Sequence, residues 1–254
     1  NRGWWPSDDP SLWRDITIYE PVFSAWARET PLIDGKLTPA YEGHITPEWW
    51  YADRWEFNLS WGVESHHACL YVMNDYINLY LAFVIEDEDF DWNDSVMFNF
   101  DDDHDGIKEI GDNQLWIGMD AMLCENLAGR FYDGFFPTPG DAFSFNWDDS
   151  DGGHQDGVGA MQFTGETPST IASYVVEVAY PLSTRYYDNE YERHDFYLPA
   201  PPVSGMDEVG VNVLYDDGDV IGFEDGWPTL TWGNWAEMAT IKLAWPPQPP
   251  RFPW

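Results

Sequence analysis

The 254 residues carry 46 Asp and Glu against 11 Lys and Arg, for a net charge of −35. A field of that sign repels nucleic acid and anionic membrane surfaces, and with 18% aromatic residues the chain is too rich in core-forming side chains to be disordered. Its length suits a β domain with a substantial core, and its longest apolar run, Tyr76 to Ile85, is too short for membrane insertion.

In chain order, residues 1–30 read as an N-terminal arm. Trp4, Trp5 and Trp13 lie there among Pro6, Asp8, Asp9 and Pro10, with one strand at Ile16 to Tyr19. Alternation and β-branched or aromatic enrichment then predict strands at Arg54 to Trp61, Ala68 to Met73, Asn78 to Glu86, Ser95 to Phe100 and Gln114 to Met119. Later strands are predicted at Ser173 to Tyr180, Val209 to Tyr215 and Ala239 to Ala244. Asn74-Asp75-Tyr76-Ile77 turns a hairpin, and Asp148 to Gly159 is a Gly/Asp loop. Short helical turns are expected near Pro39 to Tyr51 and Leu182 to Tyr191. Trp245 to Trp254 form a proline-rich, extended tail. Many short strands without a long amphipathic helix predict an all-β, antiparallel β-sandwich, jelly-roll-like, over residues 31–244, with extended N- and C-terminal arms.

The sharpest chemical signal is Asp101-Asp102-Asp103-His104-Asp105-Gly106, with Asp112 at the twelfth position counted from Asp101. Alternating oxygen ligands, a Gly at position six and a closing carboxylate are what a calcium loop needs. Asp101, Asp103, Asp105 and Asp112 are the expected side-chain ligands, with the Ile107 carbonyl and Glu109 through water. The flanks alternate as strands, so the loop is a strand connection and not an EF-hand. A solvated acidic turn is the alternative reading. A second calcium set is Asp87, Asp89, Asp91 and Asp94; the clusters Asp149, Asp151 and Asp156, and Asp216, Asp217 and Asp219, are read as solvated turns. Cys69 and Cys124 pair as a disulfide if the protein is exported, or stay as two core thiols. With Asn at position 1, the chain is expected to be a processed, secreted protein of the extracellular space or cell surface.

Five segments, taken in order, carry a family resemblance. They are Pro31 to Lys36 with its "I-D-G-K", Leu70 to Asp75 followed by Leu79 to Phe83, Asp94 to Asp101, Tyr174 to Leu182, and Val209 to Asp216 with Leu230 to Trp232. Over roughly residues 31–244 the chain resembles family 9 carbohydrate-binding modules and DOMON-like domains. The resemblance implies a calcium-stabilised β-sandwich. It implies more than one function, since relatives of this kind bind glycans or hold haem.

Glycan binding needs flat apolar faces beside polar groups. Trp49, Trp50, Trp55, Trp61, Trp232 and Trp235 are candidates, with Asn234 between the last two; packing in the core is the competing role for any of them. Haem would draw axial ligands from Met73, Met119, Met122, His66 or His67, without a covalent attachment motif. No hydrolase, metalloprotease or nucleotide-binding motif occurs, so no enzyme is expected. The leading expectation is a non-catalytic, calcium-stabilised glycan-binding protein. The alternative is a subunit that assembles with copies of itself, as a homo-oligomer or filament, through its arms.

Overall fold

The computed structural model describes residues 21–37, 49, 51–61, 64–87, 90, 94–101, 106, 113–119, 130–135, 146–147, 157–164, 172–182, 208–217, 224–227 and 238–245. Among them run β1 (Val22–Phe23), β2 (Ala25–Trp26), β3 (Asp53–Trp61), β4 (Glu64–Asn74), β5 (Asn78–Glu86), β6 (Ser95–Asp101) and β7 (Asn113–Gly118). They are followed by β8 (Arg130–Phe135), β9 (Asn146–Trp147), β10 (Val158–Thr164), β11 (Ser173–Pro181), β12 (Glu208–Asp216), β13 (Glu224–Trp227) and β14 (Ala239–Lys242). No helix among the described residues is long and apolar enough to cross a membrane.

Two sheets pack as a sandwich. The larger has the order β1-β14-β12-β6-β7-β8-β9, with β13 also on β12. The smaller has the order β10-β11-β5-β4-β2, with β3 also on β4. The chain changes sheet after β1, after β5, after β9 and again after β11. Pairing is antiparallel except for β1 with β14 and β2 with β4.

Strand periodicity explains the core. Val96, Phe98 and Phe100 of β6 turn to one face, as do Val209, Val211, Val213 and Tyr215 of β12. They meet Leu79, Leu81, Phe83 and Ile85 of β5, and Tyr174, Val176, Val178 and Tyr180 of β11. Phe83 and Phe98 touch edge to face across the gap, with ring centroids 6.0 Å apart. The other face of β5 is covered too. Tyr80 and Ala82 pack with Tyr71, Met73, Ala27, Leu37 and Trp49 in a second apolar layer. Burial on both faces is why β5 is a nearly continuous apolar run without alternation.

Residues 21–27, which the sequence groups with the arm, belong to the sandwich. Val22 pairs with Ile241 in the larger sheet, and three residues later Ala25 pairs with Met73 in the smaller one. This short segment closes one edge. Asn74, fully buried, adds a second tie. Its side chain accepts from Ala244 N at 2.7 Å and donates to Ala244 O at 3.1 Å, imitating a strand partner. Residues 1–20, the helical turn expected after Leu182 and the tail from residue 246 lie outside the described residues.

Two motifs of the resemblance meet in space. Glu177 of β11 is buried and accepts from Asp34 N and Gly35 N, both at 2.8 Å. Gly35 has φ 75°, and a Cβ there would stand 2.9 Å from Gln162 Cγ. Only Gly fits that turn without strain.

Candidate functional site

β6 sets the geography. Its seven residues place Asp94 and Asp101 at opposite ends of the sandwich, roughly 20 Å apart at ~3.3 Å per residue. The two predicted calcium regions are therefore separate.

At the Asp101 end, the carboxylate is fully buried and its Oδ2 accepts from Gly106 N at 2.8 Å. Gly106 has φ 76°. The chain thus folds back over the first acidic residue of the loop, and position six takes the conformation that its Gly allows. Asp103, Asp105, Ile107, Glu109 and Asp112 lie outside the described residues.

At the Asp94 end, buried carboxylates meet tyrosine hydroxyls. Tyr174 donates to Asp94 Oδ2, and Tyr215 donates to Asp87 Oδ2. Backbone bonds hold both acids in place, Met119 N to Asp94 O at 2.8 Å and Asp87 N to Ala172 O at 3.1 Å. Burial, then the charges of Asp94 and Asp87, push the Tyr215 hydroxyl far above its ordinary pKa, so it only donates. Burial, then Asp217, raise Asp216. Asp89 lies outside the described residues. His66 of β4 and Asp217 after β12 join Asp87 here, and one ligand atom from each lies within 4.8 Å of the others. Sequence reasoning missed this set, because its members come from three strand ends far apart in the chain.

Trp49, expected as a stacking residue, has no exposed surface. It packs under Tyr71 and Tyr80, and its indole N–H neighbours Glu177 outside strict hydrogen-bond geometry. Burial of the second layer takes it out of any glycan surface. Trp55 is half-buried against the core. Trp50, Trp232, Asn234 and Trp235 lie outside the described residues. Cys69 is a buried free thiol, with Arg54 Nη2 donating to its Sγ at 3.3 Å; Cys124 lies outside the described residues. Burial raises the Cys69 pKa and Arg54 partly offsets the rise. Of the haem candidates, Met73 and Met119 are buried in different apolar layers, and His67 Nδ1 sits 3.0 Å from Glu86 Oε1.

Among the described residues, exposed aromatics lie at the Asn74 end of the sandwich. Tyr76 is 53% exposed on the β4–β5 turn, and Trp26 meets it edge-on at 4.8 Å. Arg28 lies 3.7 Å over the ring of Tyr51, itself 48% exposed. Trp245, 46% exposed, follows the Ala244 that Asn74 holds. This is also the Asp101 end, since Asp101 pairs with Gly210 and nearby Glu208 pairs with Lys242, three residues before Trp245. One signal was legible, because Tyr76 sits at the tip of a predicted hairpin and a tip residue has no sheet to hide in.

No protein-family model matches the chain, and no curated protein matches it in sequence. Solved structures do. A family 9 carbohydrate-binding module from Caldicellulosiruptor kristjanssonii in complex with cellotriose aligns over 92% of this chain and 98% of its own, with TM-score 0.55 and 14% identity. A family 9 module from the same organism in complex with glucose aligns over 89% and 96%, with TM-score 0.54 and 14% identity. The chain has the β-sandwich fold of family 9 carbohydrate-binding modules.

Proposed function

We propose that this protein is a non-catalytic, secreted glycan-binding domain that takes β-glucan chains on the aromatic cluster around Asn74. The carrying observation is the exposed Tyr76, Tyr51 and Trp245 at the Asn74 end, with the part-buried Trp26 edge-on to Tyr76 and Arg28 over Tyr51, on a fold shared with modules solved with cellotriose and glucose. Aromatic faces supply stacking on sugar C–H surfaces, and the exposed Arg28 and Glu29 supply groups for hydroxyls. The test is titration with cellotriose and retention on insoluble cellulose. Tyr76→Ala and Trp26→Ala are each expected to weaken binding about tenfold, the loss of ~1.4 kcal/mol. Binding that survives both changes but is lost in Trp232→Ala or Trp235→Ala would move the site to that loop. No retention on any β-glucan would end the reading.

Calcium belongs to the same proposal, held by the sequence segment from Asp101 to Asp112, whose first residue lies at the same end of the sandwich as the aromatics. The support is the buried Asp101 carboxylate and the backbone already wrapped on it through Gly106.

Assembly with copies of itself is a second reading, favoured by one observation. β10 is the outer strand of the smaller sheet and begins at the exposed Val158, so it offers an edge to a neighbour's extended segment. Electron microscopy with calcium and after chelation tests it; isolated particles in both conditions would remove it.

A further inference from the structure

The Asp94 end of the sandwich carries a donor set of a different chemistry from the calcium loop. His66 projects from β4, Asp87 follows β5 and Asp217 follows β12. His66 Nε2 and Asp217 Oδ2 are 3.7 Å apart, with side chains 14% and 19% exposed. Two ligands at ~2.0–2.2 Å from a tetrahedral ion stand roughly 3.3–3.6 Å apart, so this pair is already near bridging distance. The third ligand atom needs only a small inward movement from the 4.8 Å limit. Water can reach the two half-buried groups and fill the remaining positions.

The supporting shell is built as metal ligands require. Tyr215 donates to Asp87 Oδ2, which fixes the orientation of that carboxylate. The same tyrosine ring stands edge-on to His66, 5.2 Å between centroids at 80°, and limits rotation of the imidazole. The backbone of Asp87 is tied to Ala172. A single side chain, Tyr215, thus orients two of the three donors.

We propose that His66, Asp87 and Asp217 form a binding site for a divalent transition metal, of the zinc or cobalt type. An imidazole nitrogen with two carboxylates suits such ions, whereas calcium takes an all-oxygen shell. The ion bridges the two sheets, because His66 and Asp87 come from the smaller and Asp217 from the larger. It staples the end of the sandwich opposite Asp101. The site does not depend on glycan binding, and its test is separate.

The experiment uses the full chain, stripped with chelator and then saturated with calcium so that oxygen-only sites are filled. Cobalt(II) is titrated and its visible ligand-field absorption is followed, then zinc is added in competition. The expected result is one cobalt per chain with an absorption envelope showing nitrogen ligation, displaced by zinc. His66→Gln and Asp217→Asn should each weaken binding by more than about tenfold, while Glu56→Gln, at an exposed carboxylate of β3, leaves it unchanged. Asp217 lies beyond the strand end, so its variant keeps the site testable if His66→Gln unfolds. Cobalt absorption and zinc affinity unchanged in both site variants would overturn the proposal. Displacement of cobalt by calcium at comparable concentration would overturn it as well, by making the site an oxygen-type centre.

Discussion

Glu177 shows how one buried side chain joins distant pieces of sequence. Its carboxylate receives two backbone N–H groups of the Asp34–Gly35 turn. Burial nevertheless raises its pKa above the ordinary 4.5, with the bonds from Asp34 and Gly35 pulling the other way. A carboxyl raised in the folded state binds its proton more tightly there than in the unfolded chain. Its contribution is full below the unfolded value and is lost as pH rises through the folded one. Glu177→Gln keeps an oxygen for both N–H groups and removes the ionisation. Relative to this variant, the parent should lose stability as pH rises above 4.5. Thermal unfolding of both proteins over roughly pH 4 to 7 checks this, and parallel curves would show that Glu177 does not titrate in that range.

Among the elements, the weak joint is where β4 ends. β1 and β2 are two residues each, too short to hold by their own ladders. They rely on Ser24 N to Lys242 O and Ala27 N to Asn74 O, both 2.8 Å, and on the Asn74 side chain gripping Ala244. Asn74→Ala removes three side-chain bonds, two to Ala244 and one to Asp75 O, and strands the half-buried N–H and C=O of Ala244, at a cost of about 2–4 kcal/mol. Chemical denaturation should show that loss. Hydrogen exchange should show faster opening at residues 22–27 and 239–244 than in β5 or β11. A loss under about 0.5 kcal/mol would mean that water replaces the side chain. The same joint carries Trp26 and Trp245, so its rigidity also sets the shape of the proposed glycan surface.

For the whole molecule, the net charge of −35 dominates. Self-repulsion at that charge destabilises the compact state and weakens as salt shortens the Debye length from ~30 Å at 0.01 M to ~10 Å at 0.1 M. The unfolding midpoint should therefore rise with sodium chloride and then level off. Calcium at matched ionic strength should add more, since an ion held at 100 times its Kd stabilises by about 2.7 kcal/mol, or roughly 5–10 °C for a domain of this size. Asp101→Asn keeps an oxygen for Gly106 and removes one charge, and it should reduce the calcium increment without changing the sodium response. Identical midpoints in the two salts would take calcium out of the stabilisation.

The sequence by itself determined the class of fold and the place of eight strands, because both rest on local periodicity; it did not mark β8 or β10, and β10 starts at Val158 inside the predicted Gly/Asp loop. All eight predicted core strands are present, with ends moved by a few residues. It also marked the turn that Asp75 closes by accepting from Ile77 N and Asn78 N, and the acidic segment from Asp101 that is proposed to hold calcium. Short strands such as β1, β2 and β13 were illegible, since two to four residues carry no period. The tertiary structure alone decided which aromatics are exposed. Trp49 and Tyr76 are both large and apolar, yet one lies under a second layer and the other at a hairpin tip. It alone brought His66, Asp87 and Asp217 together. Three strand ends separated by up to about 150 residues become neighbours only because two interleaved sheets, each built from distant strands, finish at the same end of the sandwich.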